Sequence, residues 1–76
     1  MRLAELLKQR RRRTGLSAND VADRAEVGRS YYFEIEQGKR ANISLLMAAR
    51  LSHVLRISLK DLAAAALKSA NGRKKQ

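Results

Sequence analysis

Between Gly28 and Gly38 the chain reads Arg29-Ser30-Tyr31-Tyr32-Phe33-Glu34-Ile35-Glu36-Gln37, and helical spacing sorts these side chains by face. Tyr32 and Ile35 share an inward stripe, which leaves Arg29, Ser30, Phe33 and Glu34 on the other side. A guanidinium, a hydroxyl, a carboxylate and a ring displayed together are contact groups. No glycine-rich phosphate loop and no evident nucleophile with its base accompany them, so the sequence argues against an enzyme. There is no cysteine and one histidine, His53, so thiolate and imidazole ligand sets are lacking and no metal or cofactor is expected. His53 is read as an ordinary surface or half-buried residue of the fourth helix.

The charge balance says what such groups would contact. Seventeen Lys and Arg against seven Asp and Glu leave a formal net charge of +10, which calls for a polyanionic partner, because each phosphate neutralised releases condensed counterions. Nucleic acid is the first candidate. A membrane would attract the same charge, but no apolar run approaches the roughly 18 residues of a spanning helix. The N-terminus reaches Lys8 and Arg10 to Arg13 without a signal-peptide core, so a cytoplasmic protein is expected. At 76 residues the chain is one domain near the lower size limit for a self-sufficient core, so a partner subunit bears on its stability.

The elements that must position these groups are all helical. Proline is absent, the four glycines divide the chain into helical lengths, and no alternating strand pattern appears. A first helix is expected over residues 2–13, with Leu3, Leu6 and Leu7 on one stripe and Gly15 to stop it. Ser17 with Asp20 forms a capping-box signature for a second helix that buries Val21, Ala22 and Ala25. Glu26, Val27 and Gly28 make a short turn into the third helix, about residues 28–36. Ser44 caps a fourth helix with Leu45, Ala48, Leu51 and Leu55 as its stripe, and Ser58 with Asp61 opens a fifth, with Leu59, Leu62, Ala63, Ala66 and Leu67 apolar.

The run Ser17-Ala-Asn-Asp-Val-Ala-Asp-Arg-Ala25, a short turn, and Arg29 to Gly38 resembles the helix-turn-helix of the Cro and lambda-repressor (XRE-type) family. Gly15-Leu16-Ser17 upstream and Leu51 to Leu62 downstream extend the resemblance over about residues 3–67. The resemblance implies an all-α, compact five-helix domain over residues 1–69, and residues 70–76, basic and with no apolar partner to bury, are expected to form a disordered tail. It also implies a sequence-specific double-stranded DNA-binding transcriptional regulator, whose second helix crosses the backbone while the third enters the major groove.

By register, the family's base-reading positions fall on Arg29, Ser30, Phe33 and Glu34. Arg29 is expected to donate to guanine O6 and N7, and Glu34 either to accept from cytosine N4 or to hold an arginine in place. Phe33 is left between a thymine methyl and the side of the core. Phosphate contacts are expected from Ser17, Ala18, Asn19, Tyr31, Lys39, Arg40 and Asn42. Arg11 and Glu36 stand where many members carry a buried ion pair, whereas Arg10, Arg12 and Arg13 are read mainly as a solvated face.

Three positions depart from the family pattern: Ala18 where glutamine is common, Glu26 where glycine is common, and Ala41 as an extra residue in the loop after the third helix. Arg29-Ser30-Tyr31, Ile35-Glu36, Gly38-Lys39-Arg40 and Asn42-Ile43-Ser44-Leu45 are similar to restriction-modification controller proteins. A homodimer on a palindromic operator is expected, since one domain reads too few base pairs. Leu59, Leu62, Ala63 and Ala66 are the candidate interface, the alternative being that this stripe closes the monomer core. The rival functions are an antitoxin or protein-interaction module with DNA-binding autoregulation, and a basic amphipathic peptide.

Overall fold

A computed structural model describes the backbone of residues 2–40 and 42–74 and the side chains of 2–40 and 42–69. The described residues form five helices: α1 (Leu3–Thr14), α2 (Ala18–Ala25), α3 (Arg29–Glu36), α4 (Leu45–Leu55) and α5 (Leu59–Lys74). No strand occurs among the described residues. Ala41, expected as the extra loop residue, lies outside the described residues, as do Lys75 and Gln76.

Each boundary has a local cause. Glu5 accepts the Arg2 N–H at 3.3 Å to open α1, and Gly15, at φ 78°, closes it in the left-handed region. Both halves of the Ser17–Asp20 capping box form, with the Asp20 N–H donating to Ser17 Oγ at 3.1 Å and the Ser17 N–H to Asp20 Oδ2 at 3.3 Å. Ser44 accepts from the Met47 N–H at 3.1 Å and Ser58 from the Asp61 N–H at 3.0 Å.

The helices pack around one core. Leu3, Leu6 and Leu7 from α1 meet Val21, Ala22 and Ala25 from α2, Tyr32 and Ile35 from α3, and Leu51 and Leu55 from α4. Val27 and Ile57 plug the two inter-helix corners. Ala22 is wholly buried, and its small side chain lets neighbouring helices approach closely.

Two expectations change. Leu45 is 74% exposed, because the first residue of α4 projects past the edge of the bundle although its spacing matches Ala48 and Leu51. The buried stripe of α5 is Leu62, Ala65 and Ser69, not Leu62 with Leu59, Ala63 and Leu67, all three of which face solvent while Ala66 is half-buried. The helical backbone of α5 is described as far as Lys74. Ser69 explains part of the changed register: its Oγ accepts the Leu3 N–H at 3.0 Å and donates to Ala65 O at 3.0 Å, tying the start of α1 to α5.

Candidate nucleic-acid interface

The α2–α3 corner sets the site. Glu26 ends α2 in the left-handed region at φ 59°, where a side chain costs about 1–2 kcal/mol relative to glycine. The conformation is held from both sides. The Val27 N–H donates to Ala22 O at 3.0 Å, and Arg50 Nη1 of α4 donates to Glu26 O at 3.1 Å. Val27 is buried, Gly28 starts α3 in an extended conformation without a side-chain cap, and Tyr32, one turn further on, is completely buried.

Beneath α3 lies a polar anchor. Arg11 Nε and Glu36 Oε2 are 2.6 Å apart, Arg11 Nη2 donates to Glu36 Oε1 at 3.1 Å, and the Tyr32 hydroxyl donates to Glu36 Oε2 at 2.5 Å. Arg11 Nη1 also reaches Leu16 O at 3.3 Å. Glu36 is 4% exposed, so its charge depends on this fork and on the phenol. Burial raises the Tyr32 phenol well above the ordinary tyrosine range, and the neighbouring Glu36 carboxylate raises it further. The Arg11 guanidinium is raised by its hydrogen bond to Glu36.

With Tyr32 and Ile35 turned inward, α3 exposes Arg29, Ser30 and Phe33, and Glu34 is half-buried. Phe33 is 53% exposed, which rules out its closing the core. Arg29 points back toward α2, where its Nε donates to Asp23 Oδ1 at 3.0 Å and its Nη2 to Asp23 Oδ2 at 2.7 Å. This pairing, chiefly through the Arg29 hydrogen bonds, lowers the Asp23 carboxyl and raises the Arg29 guanidinium. Glu34 holds a different arginine: Arg40 Nε and Nη2 approach its Oε1 at 3.1 and 3.0 Å. The Arg40 guanidinium also stacks over Tyr31, 4.8 Å from the ring centroid. Two carboxylates, Asp23 beside α3 and Glu34 on it, thus each grip an arginine.

The other residues assigned to phosphate contact lie nearby in sequence but are disposed differently. Asn19, Lys39 and Asn42 are exposed. Ser17 is engaged as the α2 cap, and Ala18 is half-buried against the core. Of the interface candidates, Leu62 is 0% exposed within the single chain. It is spent on the monomer core and has no area left for a partner, whereas Leu59, Ala63 and, in part, Ala66 keep outward surface.

Sequence reasoning missed Asp23, Arg10 and Arg50. Arg10, read as solvated, donates through Nη1 to Arg56 O at 3.2 Å, while Arg50 performs the same service at Glu26. Such bonds to backbone carbonyls leave no periodic signal. Asp23 stands six residues from Arg29 across a turn, outside any intrahelical pairing rule.

Five helices around one core, two of them joined by a tight buried corner that displays a polar helix face, define a non-enzymatic DNA-binding regulator domain. The chain belongs to the family described as helix-turn-helix domain, which matches residues 2–66. It is 40% identical over 58 residues to control protein C.MunI of Mycoplasma sp., an alignment covering 76% of this chain and 77% of that protein. No solved structure matches the chain. Among the described residues no helix is long and apolar enough to cross a membrane.

Proposed function

We propose that the protein is a controller-type transcriptional regulator that binds a palindromic operator as a homodimer, with α3 in the major groove. The observation that carries this reading is the outward face of α3. Arg29, Ser30 and Phe33 stand exposed on a helix whose opposite side, Tyr32, Ile35 and Glu36, is locked into the core. A rigid element displaying base-contacting side chains is what major-groove readout requires. The net charge of +10 supplies the sequence-independent attraction, and the similarity to a protein named as a control protein supports the subtype.

In this reading Arg29 and Ser30 contact base edges, Phe33 meets a thymine methyl, and Glu34 acts by holding Arg40. Asn19, Lys39, Arg40 and Asn42 contact phosphates, and Ser17, Ala18 and Tyr31 flank them. Two copies meet through the outward side of α5, using Leu59, Ala63, Ala66 and Leu67. Leu67 is 63% exposed and Leu59 40%, and their spacing puts them on one helix face with Ala63 and Ala66.

Selection of bound duplexes from a random pool at about 0.15 M salt tests the proposal. The expected result is a palindrome with half-site centres about 34 Å apart, one helical turn. Recovery of no motif, with binding that fades as salt rises, would reduce the protein to a nonspecific polycation.

A further inference from the structure

Resting on that reading, one acidic residue on α2 acquires a part in it. The Asp23 carboxylate occupies one edge of the Arg29 guanidinium, with Nε donating to Oδ1 at 3.0 Å and Nη2 to Oδ2 at 2.7 Å. A guanidinium has a second fork. The Nη1 hydrogens and the outer Nη2 hydrogen, at the end of the side chain, are not used by Asp23. Guanine offers two adjacent acceptors, O6 and N7, that match this end. The arginine therefore does not have to leave its carboxylate in order to read a base.

We propose that Asp23 is a positioning residue for base recognition: it grips the Nε/Nη2 edge of Arg29 and presents the Nη1/Nη2 end, already oriented, to a guanine in the groove. Three features support this. The two side chains stand on different helices, joined by the corner that Val27 plugs and Arg50 clamps, so their separation is fixed by the fold. The pair is exposed, with Arg29 at 59% and Asp23 at 54% of their side-chain surface, so the free end of the guanidinium is open to a ligand. An exposed pair of this kind adds little to stability, so its value lies elsewhere. An arginine at an exposed helix start otherwise samples many rotamers and loses that freedom on binding, a cost that the carboxylate removes in advance. Neutralising Asp23 through Arg29 also spares a bare carboxylate from facing phosphate.

The opposite arrangement predicts a different result. If Asp23 merely sequesters Arg29, the pair must break on binding, and removing the carboxylate tightens every duplex alike. Asp23→Asn separates the two. The probes are the duplex enriched from the random pool, the same duplex with each base pair of one half-site replaced in turn, and a random-sequence duplex of equal length.

The expected outcome is that Asp23→Asn lowers discrimination by about fivefold or more at the one base pair that Arg29→Ala relaxes. Affinity for the random duplex stays level or rises, and in an Arg29→Ala background Asp23→Asn lowers discrimination no further. An unchanged thermal midpoint guards against a folding artefact. A uniform gain on all duplexes with discrimination intact overturns the proposal. Should Arg29→Ala relax one base pair while Asp23→Asn relaxes none, the positioning role alone falls. Equal losses for Arg29→Ala on enriched and random duplexes remove base reading by Arg29, and the role of Asp23 with it.

Discussion

The chain turns the same corner twice. At the α2–α3 corner, Glu26 closes the helix at φ 59°, buried Val27 donates its N–H to Ala22 O at 3.0 Å, and Tyr32 is fully buried four residues after the cap Gly28. At the α4–α5 corner, Arg56 closes the helix at φ 57°, buried Ile57 donates to Ser52 O at 3.1 Å, and Leu62 is fully buried four residues after the cap Ser58. Even the supports match: Arg50 bonds the carbonyl of Glu26 and Arg10 that of Arg56. The corners differ in what they anchor. Leu62 is held by packing alone, whereas Tyr32 adds a hydroxyl to a buried carboxylate that Arg11 clamps. The backbone device is thus generic, and the distinct character of the α2–α3 corner resides in the polar anchor below it and the charged face above.

Substituting at the two buried positions should break the corners by different mechanisms. Leu62→Asp places a carboxylate where no partner exists, at a cost exceeding the roughly 5 kcal/mol that marks the lower end of small-domain stability. The variant should be unfolded by circular dichroism; a folded monomer would return Leu62 to the dimer interface. Arg11→Met leaves Glu36 buried with only the Tyr32 hydroxyl as partner and should cost about 3–5 kcal/mol in urea unfolding. A loss below 1 kcal/mol would show that the anchor is dispensable.

These two cases also mark how far the sequence could be read. Periodicity and caps located all five helices, because Gly15, Ser17, Ser44 and Ser58 act through bonds to backbone a few residues away. Arg11 and Glu36, 25 residues apart, became a pair only through family resemblance, since local chemistry gives no reason to join them. The face of α5 was misjudged because an alanine-rich helix offers several similar apolar stripes. Ser69 tips the choice through a bond to Leu3, 66 residues away. At the interface, the residue types on α3 and the holding of an arginine by Glu34 were legible, but not which arginine Glu34 takes, nor the grip of Asp23 on Arg29. The Asp23–Arg29 pairing depends on the angle between α2 and α3, and the Glu34–Arg40 pairing on the path of the loop after α3, neither of which sequence spacing encodes.

Alkaline titration should distinguish the corners further. Tyr32 titrates above its unfolded value, so the folded chain keeps the phenolic proton longer than the unfolded one. The stabilisation is fully present below about pH 10, the ordinary tyrosine value, and is lost as pH rises toward the raised folded-state value. Tyr32→Phe forgoes a hydrogen bond to a charged acceptor and should cost about 1.5–3 kcal/mol near neutral pH. The gap between wild type and Tyr32→Phe should narrow above about pH 10 when urea midpoints are compared. A constant gap would mean that the proton on Tyr32 is not linked to folding.

The smallest effect tests how alike the corners are. Glycine in place of Glu26 or Arg56 relieves the left-handed strain, though it gives the unfolded chain more freedom, so before charge is counted each change should stabilise by about 1 kcal/mol or less. The two gains should not be equal. Glu26 puts a negative charge at the negative end of the α2 dipole, so removing it adds to the gain, whereas Arg56 puts a favourable cation at the end of α4, so removing it subtracts. At low salt each dipole contribution is about 0.3–1 kcal/mol, and Glu26→Gly should exceed Arg56→Gly by their sum. Raising the salt should draw the two variants together, because screening removes the charge contribution and leaves the strain. Equal gains at low salt would mean that the two corners differ in strain by enough to cancel their opposite charges, and the close match in φ would then be a poor guide to their energies.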